Sequence, residues 1–146
     1  MMRHLHPIAG GLALLTIAVF WLSTVLVELF GTQAQVILVK TLIPWGLIWL
    51  IPLLIGANLG GFLMAKKMRG PVVARKKRRA PILALNGLLV LLPAALLLAA
   101  KARAGDFDGL FYAVQVAELI AGAVNITLMI GNIQDGRRLS RPRPAT

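Results

Sequence analysis

Glu28, Lys40, Gln115 and Glu118 are the residues of this chain whose types could do chemistry, and each lies in or beside a long apolar segment. Carboxylates and an amine in apolar surroundings can bind an ion, move a proton or hold a polar ligand. An unpaired carboxylate there takes up a proton, whereas one beside a lysine keeps its charge. A charge at the centre of a bilayer costs ~2.5–3.5 kcal/mol, so an isolated one facing lipid is disfavoured. The four therefore support two readings. One is an ion or proton site built on Glu118, Lys40, Gln115 and Glu28. The other is a structural ion pair for Glu118, with Lys40 and Glu28 reaching toward a polar interface.

A second polar set comprises Asn58, Asn86, Asn125 and Asn132. Amide hydrogen bonds between membrane helices average ~0.6 kcal/mol, so these four are expected to hold helices together at the inner end. His4 and His6 raise haem b or a metal, because haem iron commonly takes histidine ligands. Two residues apart, they point to different sides of a helix. A haem on His6 would need a second copy of the chain or a ligand of another kind. Cysteine is absent, which excludes thiolate metal sites, thiol nucleophiles and disulfides. No phosphate loop, Ser/His/Asp set or hydrolase carboxylate pair is visible, so the reading is non-enzymatic.

The elements that must position these groups are long and apolar. The chain has 146 residues, 58% of them hydrophobic, with a mean hydropathy of +0.81; soluble domains are nearer ~45–50% apolar. Four segments reach the ~20 residues a membrane helix needs: 8–30, 41–64, 82–100 and 111–133. The expected fold is all-α, an integral membrane four-helix bundle in one transmembrane domain. Pro44 and Pro52 predict a kink or break in the second helix. Gly56 and Gly60 form a G-x-x-x-G pair suited to close helix packing inside the bundle. Residues 65–81 read as a basic connector, with Gly70-Pro71 ending any helix and Pro81 opening the third span. Residues 135–146 read as a disordered basic tail. A cleaved signal peptide is disfavoured, since Thr32-Gln33-Ala34 matches a cleavage site poorly.

The fourth segment carries the clearest pattern. Gln115, Glu118, Gly122, Asn125, Met129 and Asn132 recur at steps of three and four, which returns them to one helix face. That polar, small-residue stripe is expected to face the other helices, with Gly122 allowing close approach. Val116, Leu119 and Ile126 are expected to face lipid.

Net charge is +11. With four spans, Arg3, the eight Lys and Arg of the connector, and Arg137, Arg138, Arg141 and Arg143 fall on one side. That makes thirteen, against Lys40, Lys101 and Arg103 on the other. The positive-inside rule then places both termini in the cytoplasm. The basic connector should attract anionic lipid head groups. Nucleic acid is not expected, because no aromatic residue is interleaved between Lys66 and Arg79. Leu5-His6-Pro7, Ile43-Pro44-Trp45-Gly46, Asn86-Gly87-Leu88 and the run from Phe111 to Leu119 resemble a group of small four-span bacterial inner-membrane proteins. The resemblance implies a multi-pass location in a bacterial inner membrane and carries no activity. The chain also looks like the four-helix small multidrug transporters, which place a glutamate within the first helix, but Glu28 stands at the end of that helix. The expected function is an accessory or scaffold subunit, partnered by the bilayer and by a homo-oligomer or larger membrane complex. An ion or proton carrier using Glu118 is the alternative, and a haem-binding electron-transfer subunit using His6 is a third.

Overall fold

The computed structural model describes residues 2–66 and 69–140. Among these the chain is all-α: α1 (Met2–Phe30), α2 (Gln33–Ala65), α3 (Pro71–Asn86), a π-helical turn (Gly87–Leu91), α4 (Leu92–Ala104) and α5 (Gly109–Ser140). The segment from Pro71 to Ala104 is one continuous rod, so the chain makes four long rods. All four are long and apolar enough to cross a membrane. They form a ring in which α1 packs on α2 and α5, and α4 also packs on α2 and α5.

The upper end of the ring, where the tight connections lie, is set by local hydrogen bonds. Gly31 N–H donates to the Val27 carbonyl. Thr32 and Gln35 then close a capping box on α2: Gln35 N–H donates to Thr32 Oγ1, and Thr32 N–H to Gln35 Oε1. The stretch that made a poor cleavage site is thus a good helix start. Gly105 ends α4 with a φ of 71°, a left-handed position that suits glycine. Asp106 N–H reaches back to the Lys101 carbonyl, and Asp108 Oδ1 accepts from Phe111 N–H at the start of α5.

Polar and apolar groups are distributed inside out relative to a soluble protein. Leu15, Leu22, Trp45, Trp49, Leu89, Val116 and Ile120 are exposed, while Thr24, Lys40, Gln115, Asn125 and Asp135 are buried. Two apolar clusters divide the interior. Val36, Leu98, Ala102 and Phe111 fill the upper end. Ala13, Ile17, Leu50 and Met129 fill the lower half.

Several boundaries differ from the sequence reading. The third rod begins at Pro71, ten residues before Pro81, so much of the 65–81 connector is helical. Ala, Lys and Arg are strong helix formers, Val73 is buried, and Arg75 and Arg79 bond to α5. Those contacts carry the helix through Pro81, which forfeits its bond to the Lys77 carbonyl. The fifth helix continues to Ser140, so 135–140 are helical rather than disordered, and 141–146 lie outside the described residues. Helix α2 runs unbroken through Pro44 and Pro52. Pro93 is the proline that marks a change of winding. It follows the π turn, where Leu92 N–H donates to the Gly87 carbonyl, and such a turn accommodates the carbonyl that a proline ring would strike.

Candidate functional site: a buried ion pair and its polar neighbours

Lys40 lies on the face of α2 that also carries Val36, Ile43 and Leu50, all buried. These recur at helical steps of three and four, so the lysine is carried inward with them. Its side chain is 1% exposed and Nζ stands 2.5 Å from Glu118 Oε2. Lys40 therefore does not reach to an interface, as one sequence reading had it. Its ammonium lies inside the ring and joins α2 to α5.

Glu118 belongs to the stripe on α5. Gln115, Gly122, Asn125 and Met129 are buried, and Asn132 is half-buried. Leu119 and Ile126 are also half-buried rather than fully outward, and Val116, Ile120 and Val124 form the exposed face instead. Leu119 is drawn inward by Trp21, whose Nε1–H donates to the Leu119 carbonyl at 2.8 Å. The Cδ1 edge of the Trp21 indole abuts Gly122, where a Cβ would stand 2.8 Å from Trp21 Cδ1. Close approach of α1 and α5 thus requires glycine at this position.

Glu28, Lys40 and Glu118 lie within electrostatic range of one another. Glu28 Oε1, Thr41 Oγ1 and both polar atoms of Gln115 are buried without a protein hydrogen-bond partner. Gln115 stands one helical turn above Glu118. A cavity of about 60 Å³ borders the pair, lined by Phe20, Trp21, Thr24, Ile43 and Glu118 among others. That volume suits a few water molecules and not a drug-sized solute.

The four asparagines do not form one cluster. Asn86 Nδ2 donates to Asn125 Oδ1 at 2.8 Å and to the Ala121 carbonyl at 2.9 Å, tying α3 to α5. Asn58 is exposed and donates back to the Leu54 carbonyl of its own helix. Asn132 accepts instead from Arg79, at 3.4 Å. Gly56 is exposed with open space around it, so it makes no packing contact inside the ring, and Gly60 is half-buried. His4 and His6 fall in α1, but their side chains lie outside what is described.

Sequence reasoning missed Trp21 and Asp135. Trp21 gave no signal beyond its indole N–H, which needs an acceptor when buried. Asp135 did give one, because it stands three residues after Asn132 and continues the same stripe. The apolar run stops at Ile133, and on sequence alone that places Asp135 in the tail.

At the upper end, Lys101 Nζ bonds both Asp106 and Asp108. The Phe111 N–H, and then Lys101, hold the Asp108 carboxyl below the usual carboxylate range. No protein family, curated protein or solved structure matches the chain.

Proposed function

We propose that this chain is a multi-pass protein of a bacterial inner membrane, with both termini in the cytoplasm, acting as a non-enzymatic accessory or scaffold subunit. The observation that carries this reading is the Lys40–Glu118 pair. Each charge satisfies the other inside the ring, and the pair joins two helices, as a structural element does. The apolar exterior supports residence in lipid, and the uneven spread of Lys and Arg supports the orientation. Bilayer lipid is the first partner, and a second copy or a larger membrane complex the next.

A second reading is favoured by Gln115 and Glu28, whose buried polar atoms have no protein partner. Such atoms call for water or an ion, so a proton or ion carrier remains the alternative function. Reconstitution into liposomes separates the two. A scaffold gives no proton or ion flux above protein-free vesicles and co-purifies from native membranes at fixed stoichiometry with its complex. Flux that disappears in Glu118→Gln, with the fold intact, would transfer the assignment to the carrier.

A further inference from the structure

We propose that the basic cluster where the lower ends of α3 and α5 meet binds the phosphate of an anionic membrane lipid. This rests on the reading that the basic end faces the inner leaflet. Arg75 and Arg79, one helical turn apart, both donate to Asp135. Arg75 Nη2 stands 3.2 Å from Oδ1, and Arg79 Nη1 stands 3.0 Å from Oδ2. Arg79 Nη1 also reaches Asn132 Oδ1.

Two cations of this cluster lie against glycines of α5. A Cβ at Gly131 would stand 2.7 Å from Arg79 Nη1, and one at Gly136 would stand 3.2 Å from Lys76 Nζ. A side chain at Gly131 would displace the guanidinium, and one at Gly136 would crowd the ammonium. The missing side chains are therefore what lets the cations lie against α5. Arg138 is within electrostatic range of Asp135 as well. Arg75, Lys76, Arg79 and Arg138 thus surround a single carboxylate, with three positive charges in excess.

The carboxylate is buried, whereas the Arg75 and Arg79 side chains are 47% and 26% exposed. Asp135 holds the guanidinium planes in place from behind. A guanidinium has five N–H donors, more than these bonds use, and the remaining ones match two phosphate oxygens side by side. Holding the cations in advance lowers the ordering cost of binding. Depth points to a lipid. The apolar run of the third span begins at Ile82 and that of the fourth ends at Ile133, so Arg79 and Asp135 stand within a turn of the apolar band, at the level of lipid phosphates.

The test uses the full-length chain in detergent, read by native mass spectrometry and thermal unfolding. Phosphatidylglycerol should stay bound at about one per chain and raise Tm, while phosphatidylcholine and millimolar inorganic phosphate should not. Arg75→Gln/Arg79→Gln/Asp135→Asn lowers the net charge by one and replaces the ion pairs with neutral amides, removing both guanidinium forks. It should weaken phosphatidylglycerol binding about tenfold. Lys77→Gln lowers the net charge equally on the opposite face of α3 and should leave binding unchanged. Should the triple variant fail to fold, Arg79→Lys keeps the charge, loses the two-pronged geometry and should weaken binding several-fold. Equal binding of the two lipids, an equal response to inorganic phosphate, or an equal loss in Lys77→Gln would overturn the site. A wrong orientation would surface separately, in a topology reporter, because binding in detergent does not depend on it.

Discussion

Removing Lys40 alone would leave the Glu118 carboxylate in the interior without its counter-charge. Breaking a buried pair in this way costs about 3–5 kcal/mol, whereas replacing both partners by apolar residues is often neutral or stabilising. Lys40→Met should therefore unfold at markedly lower denaturant, and Lys40→Met/Glu118→Leu should recover most of the loss, both read by the fluorescence of the tryptophans. A double variant no better than the single one would mean that the pair has a role beyond joining α2 to α5. Asp108 offers a second test at this scale. Its folded carboxyl titrates below its unfolded value of 3.8. The stability it contributes is therefore present above that value and lost as pH falls through the lower folded value. Tm measured between about pH 5 and 2 should fall less steeply in Asp108→Asn, which still caps α5 but carries no charge. Asp108→Ala should lower Tm even near neutral pH.

At the scale of the element, α5 is the helix on which the site is built. Its stripe faces α2, α1 and α3 at successive levels, through Lys40 on Glu118, Trp21 on Gly122 and Asn86 on Asn125 in turn. Gly122 sets how near α1 can come, because the indole of Trp21 lies where a side chain would project. Gly122→Leu should force the two helices apart, break the bond from Trp21 to the Leu119 carbonyl and cost about 1–3 kcal/mol by overpacking. The accompanying shift in tryptophan emission locates the damage at this contact. An unchanged spectrum and stability would show that α1 can be moved without loss. At the lower end of the stripe, α3 gains its first ten residues through contact with α5, since Arg75 and Arg79 find Asp135 there. An isolated helix carrying Arg75 to Arg79 in succession would repel itself.

For the whole molecule, the exposed face is apolar around the four rods, and the basic residues gather at the lower end. Under the proposed orientation, a reporter fused after Thr146 should read as cytoplasmic and one inserted at Gly105 as periplasmic. The insertion site is exposed and lies at the end of α4, so it should tolerate the fusion. A periplasmic signal from the C-terminal fusion would end the orientation proposed here and place the basic cluster against the outer leaflet.

The all-α class and the four long apolar helices were legible in the sequence because both depend on local properties. Apolar runs long enough to cross a membrane need no knowledge of the partner helices. The inward turn of Gln115, Gly122 and Asn125 was legible for the same reason, since a helical period carries its own geometry. The ends of α3 and α5 were not, because Pro71 and Ser140 become helical termini only when Arg75 and Arg79 meet Asp135 across sixty and fifty-six residues of chain. Nor could the sequence sort the asparagines. Asn86 meets Asn125, Asn58 bonds its own helix and Asn132 meets an arginine, according to how each helix is rotated about its axis in the ring. Rotation is fixed by contacts such as Trp21 on Gly122 and Phe20 over Gly46, which pair residues far apart in the chain. Periodicity says that a residue faces a neighbour, and only packing says which neighbour it meets.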